Sequence, residues 1–306
     1  PSLDNTTIPS QAVSLLNESI KNAKLVLKKY PDSKYIDDSY FLIGKCSFLL
    51  KKYPEAERNL RRVSNNFSNS KYFDETQILL AYTLFRMGYN DKSLFILENL
   101  SDKILKRNSN MFLISNIYAE MNIANANYDK AYEYYNTATE LANDNSEQIS
   151  ILSKIIILAK EQEDYRRIVF YLEKLSNLLS GANRINTKLE WIDYQLLLGN
   201  YEVLISELEN MLIQSEFESK SLSLKISLAR SYLLSNDTDR ARNLFLDIVD
   251  QYKKKNETAE AYYFLASIEL DDNFDLDIAI NYYESSISER SNSKYGKLSR
   301  IQKKKI

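Results

Sequence analysis

Small and aliphatic residues recur along this chain in two tracks that keep step with one another. The first is Ala56, Ser93, Ala131, Ile168, Leu204, Ala241 and Ala279, with successive steps of 37, 38, 37, 36, 37 and 38 residues. The second lies 12 residues upstream at Gly44, Ala81, Ala119, Ile156, Ile192 and Ala229, and closes at Ala266, 13 upstream of its partner. An aromatic often opens the phrase three positions before the first track, as in Tyr53-Pro-Glu-Ala56, Tyr128-Asp-Lys-Ala131, Tyr165-Arg-Arg-Ile168 and Tyr201-Glu-Val-Leu204. Self-similarity at a fixed period of this length marks a stack of short supersecondary units.

Around each track the apolar residues fall three and four apart, the spacing of one helical face. In one unit they are Tyr40, Ile43, Gly44 and Phe48, then Ala56, Leu60 and Val63. In another they are Leu228, Ala229 and Tyr232, then Ala241, Phe245 and Ile248. Each unit therefore reads as helix A, a turn and helix B, with small residues where the two helices cross. The expected fold is all-α, a right-handed solenoid of stacked helix-turn-helix repeats with a period of about 37 residues, because one hairpin cannot bury its apolar face alone. A tail and leading helix (1–34, the helix near Ile8 to Tyr30) precede seven repeats (35–294). Those start near Tyr35, Tyr72, Asn110, Glu147, Ile185, Ser219 and Glu257, and the start of a capping helix follows (295–306). One array is the simpler account, with the polar joint Ser101–Asn110 its most flexible point.

Small residue, twelve-residue step, small residue, then an aromatic or Leu four further on: this resembles the tetratricopeptide repeat, lengthened from its usual period. The joints are more specific. Lys29-Tyr30-Pro31-Asp32-Ser33-Lys34-Tyr35 leads into the first repeat, Asn66-Phe67-Ser68-Asn69-Ser70-Lys71-Tyr72 into the second, and Arg290-Ser-Asn-Ser293-Lys-Tyr295 is a weaker copy. Pro31 should end the preceding helix, and Ser33 should cap the next helix or turn. Over residues 12–72 this wording resembles the outer-membrane assembly lipoprotein BamD and the Tol-Pal-associated YbgF or CpoB type of bacterial envelope repeat. The array is longer than is typical of the former, and the lipobox cysteine is not among these residues. The resemblance implies a periplasmic scaffold, outer-membrane anchored in full length, serving outer-membrane or cell-wall assembly machinery. A cytosolic adaptor is the alternative. The chain opens on Pro1, the expected mark of a removed segment, so a signal peptide or lipid anchor is neither seen nor excluded.

Composition narrows the chemistry. There is no His, which removes the commonest general base and the usual nucleophile pairs. Cys46 stands alone inside an apolar stretch and reads as a small buried hydrophobe. Five Gly leave no phosphate-cradling loop. The Asp271, Asp272, Asp275 and Asp277 group lacks the Gly turn and closing Glu of a calcium loop. A formal net charge of -2 argues against nucleic acid, and no apolar run is long enough to span a bilayer. Neither an enzyme nor a cofactor or metal site is expected.

What remains is protein binding. Repeats of this type hold partners on the concave surface lined by helix A, at the positions just after the small residue and three or four further on. In this frame those are Phe41, Lys45 and Phe48; Ile78, Tyr82, Phe85 and Arg86; Asn116 and Glu120; Asp193; Arg230; and Tyr263. Aromatic and Arg side chains are favoured interface anchors. With 23 Tyr in the chain, the rival reading for each ring is packing between repeats. The exposed end helices of an array also favour a homo-oligomer through the termini.

Overall fold

The structure is a computed structural model that describes residues 8–306, apart from the side chains of Asp272 and Asn273. Residues 1–7, most of the expected tail, lie outside the described residues. The described residues are all-α. In chain order the helices are α1 Ser10–Lys29, α2 Ile36–Leu49, α3 Tyr53–Asn66, α4 Phe73–Arg86, α5 Asn90–Glu98, α6 Asp102–Leu105, α7 Asn108–Ala124 and α8 Tyr128–Leu141. They continue as α9 Asn145–Glu161, α10 Tyr165–Leu178, α11 Gly181–Leu198, α12 Tyr201–Leu212, α13 Ser221–Leu234, α14 Thr238–Gln251, α15 Asn256–Ile268, α16 Leu276–Arg290 and α17 Lys294–Lys303. The chain divides into two compact units, Pro1–Leu158 and Ala159–Ile306, and the division falls inside α9.

Every repeat in the sequence is a helical hairpin here. The B helices α3, α5, α8, α10, α12, α14 and α16 each begin three residues before the first-track residue. All seven residues of that track are fully buried, and those of the second track are buried as well. The reason is close approach. A Cβ placed on Gly44 would lie 2.7 Å from Leu60 Cγ, so α2 and α3 cross where no side chain fits between them. The fifth repeat starts at Gly181, four residues before its expected start at Ile185.

The turn from helix A to helix B holds a third track that residue type alone conceals. Lys51, Gly88, Ala126, Glu163, Gly199, Asn236 and Phe274 all take positive φ, between 52° and 82°. They repeat with the same steps as the other tracks, though only two are Gly. The following amide closes a bond five residues back in most of them: Lys52 N to Ser47 O (2.8 Å), Tyr89 N to Leu84 O (2.9 Å), Asn127 N to Asn122 O (2.8 Å), Asp164 N to Ala159 O (2.9 Å) and Asp237 N to Tyr232 O (2.8 Å). This is the helix C-terminal motif whose left-handed residue is ordinarily Gly. The geometry of the hairpin imposes it on Lys, Ala, Glu, Asn and Phe, at a cost of about 1–2 kcal/mol per residue. In the last repeat the 13-residue step is absorbed by a π-turn over Glu269–Asn273.

The joints behave as their residues suggest, with differences. α1 ends at Lys29, two residues before Pro31. Ser33 Oγ accepts from Tyr35 N (3.3 Å) and Ser70 Oγ from Tyr72 N (3.2 Å), which close turns ahead of α2 and α4 and do not cap them. Ser293, in the weaker copy, does cap its helix, accepting from Gly296 N at 3.0 Å. The polar joint Ser101–Asn110 is no open linker. It holds the one-turn α6, whose Ile104 is buried with Leu97 and Leu100 against Ile114 and Ile117, and Asn110 Nδ2 donates to Ile104 O at 3.0 Å. Cys46 packs with Ile20, Ala23 and Ile43, and burial pushes its thiol above the ordinary value.

Candidate protein-binding surface

In the first unit the A helices α2, α4, α7 and α9 bring several expected residues together. Phe48 lies 4.9 Å from Tyr82 between ring centroids, and Tyr82 lies 6.5 Å from Phe85. The Tyr82 hydroxyl donates to Glu120 Oε1 at 2.6 Å, and Arg86 reaches Glu120 Oε2 at 4.0 Å while lying over the Tyr53 ring. Glu120 also accepts from Lys154 Nζ at 2.8 Å, and that ammonium donates to Asn116 Oδ1 at 2.9 Å. One carboxylate thus ties three successive A helices, α4, α7 and α9. Lys45 stands apart, exposed, paired with Glu75 at 2.7 Å and lying over Phe41.

Three of these residues face inward. Phe41 is buried and stacks on Tyr72 with centroids 4.3 Å apart, Ile78 is core, and Asn116 is buried beneath Lys154. For Phe41 and Ile78 the packing reading prevails, because both are turned toward the neighbouring helix and leave little area for a partner.

The second unit holds Asp193, Arg230 and Tyr263. Arg230 lies 3.6 Å from Glu260 and also acts on Asp193. Burial is the main cause that pushes the Asp193 carboxyl above the ordinary range. Glu190 adds to it and Arg230 opposes it. Glu260 is pushed up for the same first reason, against Arg230 and a hydrogen bond from Tyr295. Tyr263 is packed among Phe264, Tyr283 and Tyr295 at centroid distances of 5.3 to 5.8 Å. These residues are engaged largely with one another, between α11, α13, α15 and α17.

Residues 38–70, which span α2 and α3, match the family model of the tetratricopeptide repeat. With the same hairpin recurring at the same period, the fold is settled. Residues 38–70 are a tetratricopeptide repeat. A search of curated proteins found no match. Similar solved structures include a tetratricopeptide repeat protein from Parabacteroides merdae, at 13% identity and TM-score 0.38, covering 88% of this chain and 97% of that one. The Cut9–Hcn1 hetero-tetramer of APC/C is similar at 13% identity and TM-score 0.39, covering 99% and 50%. The human IFIT1 dimer with m7Gppp-AAAA is similar at 14% and 0.38, covering 95% and 58%. The chain thus spans 50% and 58% of the length of these last two proteins. Such likeness concerns the helical-repeat fold alone.

Within the repeat frame, Lys154 is the residue that sequence reading missed. It is the only charge in the apolar run Ile149–Ala159, and it sits two positions before the small-track residue Ile156. That isolation was the available signal, since a lone ammonium on a core helix needs a partner.

Proposed function

We propose that this chain is a non-catalytic scaffold that holds a protein partner on the helix-A face of its first unit, around Tyr82, Arg86, Glu120 and Lys154. The single observation that carries this is the Glu120 hub. Two cations and a hydroxyl from two helices converge on a carboxylate of a third beside half-buried aromatic rings, so large apolar area and oriented charge lie together. Such sites supply anchors at low conformational cost. Phe48, Phe85 and Lys45 extend the surface. Asp193, Arg230 and Tyr263 form a second group in the other unit.

The setting we propose is a bacterial envelope, with periplasmic location and outer-membrane or cell-wall assembly machinery as the partner class. Its support is the Tyr30-Pro31-Asp32-Ser33-Lys34-Tyr35 joint, of the type used by BamD and CpoB. A cytosolic adaptor is the second reading, with which the lone, buried Cys46 is compatible.

A crosslinking pull-down from the source cell tests both parts, with wild type beside an Arg86→Ala, Tyr82→Phe double variant that keeps the ring packing. Envelope machinery captured by wild type and lost from the variant is the expected result. Equal capture by both would move the binding surface elsewhere, and cytosolic partners alone would overturn the envelope setting.

A further inference from the structure

In the second unit, α10, α11 and α12 line an open groove of about 480 Å³, with Glu173, Trp191, Glu202, Val203 and Glu207 among its residues. Its charge is one-sided. Glu207 is paired with the buried Lys188 at 2.7 Å, whereas the carboxylates of Glu173 and Glu202 have no ion-pair partner among the described residues. Trp191 forms part of the lining though it is only 3% exposed, and its indole N–H has no protein acceptor. The Lys188 ammonium lies 5.0 Å from the Trp191 ring centroid. Lys188 is itself only 7% exposed, and such burial is rare for Lys without a dedicated partner.

A solvated acidic face would not need a buried tryptophan and a buried lysine beneath it. Here the Lys188–Glu207 pair fixes one carboxylate from below, which leaves the other two to act on the open side. Val203 adds exposed apolar wall that could cover an alkyl stem. We propose that this groove binds an organic cation, a guanidinium or alkylammonium group, between Glu173 and Glu202. Carboxylates grip such groups by charge-assisted hydrogen bonds, best with the planar fork of a guanidinium. An arginine within a peptide also brings backbone that can lie against the Val203 wall. A free polyamine brings the cation alone. This site shares no residue with the Tyr82, Arg86, Glu120 and Lys154 surface, and its test does not depend on that proposal.

Trp191 is the only tryptophan in the chain, so its emission reports on this groove. The full chain is titrated with Nα-acetyl-arginine methylamide and, in a second arm, with spermidine, each followed by emission and by calorimetry. A Glu173→Gln, Glu202→Gln double variant runs beside wild type, with melting checked to show that it folds. Saturable binding of either probe, weakened about tenfold in the double variant, is expected. Saturation by the arginine probe alone assigns a peptide side chain, and saturation by spermidine alone a free polyamine. No saturable heat or emission change with either probe overturns the proposal. Binding that the double variant leaves unaltered does so equally.

Discussion

Glu120 in the first unit and Glu260 in the second are almost equally shielded, with side chains 14% and 13% exposed, yet their surroundings differ. Glu120 receives the Tyr82 hydroxyl at 2.6 Å, Lys154 at 2.8 Å and Arg86 at 4.0 Å. Glu260 has Arg230 at 3.6 Å, shared with Asp193, a hydrogen bond from Tyr295 and a weaker influence of Lys294, while its Oε1 accepts no hydrogen bond. Its carboxyl is accordingly pushed up by burial that its partners do not offset. The comparison teaches that depth alone does not set the cost of a buried charge. The number and distance of compensating groups set it.

Removing compensation from Glu120 should have the largest effect. Lys154→Met leaves a shielded carboxylate with the Tyr82 hydroxyl and a guanidinium at 4.0 Å but no close cation, and should lower unfolding stability by about 2 kcal/mol. The midpoint of urea denaturation reads this directly, and an unchanged midpoint would remove Lys154 from the hub. Arg230→Met should cost less, about 1 kcal/mol, because Asp193 and Glu260 already lean toward protonation and can neutralise instead. Its loss should shrink as pH falls. A loss equal to that of Lys154→Met at neutral pH would erase the distinction between the hubs.

Glu260→Gln should act in the opposite direction. A carboxyl with a raised folded-state pKa binds its proton more tightly when folded. Stability therefore falls as pH rises from the ordinary carboxylate range through the raised value. Removing the charge should make the variant more stable than wild type at neutral pH, by less than about 1 kcal/mol, with the gap closing in acid. A gap that widens in acid would contradict the assigned direction.

The smallest effect is the control. Lys51→Gly in the first unit and Glu163→Gly in the second relieve the same left-handed turn, so each should stabilise by about 0.5 kcal/mol. Equal gains would show that the two units differ in their hubs and not in their hairpins, and calorimetric melting of both variants measures it.

The hub residues show how far sequence reading reached. Tyr82, Arg86 and Glu120 fall at expected helix-A positions and do meet. Lys154 shares their face but was hidden inside an apolar run. Phe41 and Tyr263 occupy comparable helix-A positions and are largely absorbed by packing, against Tyr72 and against Tyr283 with Tyr295. Helical spacing tells which residues share a face. It leaves open a rotation of a few tens of degrees about each helix axis, and that rotation separates a half-buried ring from a buried one.

By itself the sequence determined the period, the hairpins and the crossing points. A fully buried site such as Ala56 or Ala241 admits only a narrow range of side-chain volumes, so its identity is written in residue type. Only the tertiary structure decided the positive φ at Lys51, Glu163 and Phe274, the π-turn that takes up the thirteenth residue, and the anchoring of the 101–110 joint through Ile104. Those features arise where the stacked hairpin forces a conformation on whatever residue is present, so side-chain chemistry carries little trace of them.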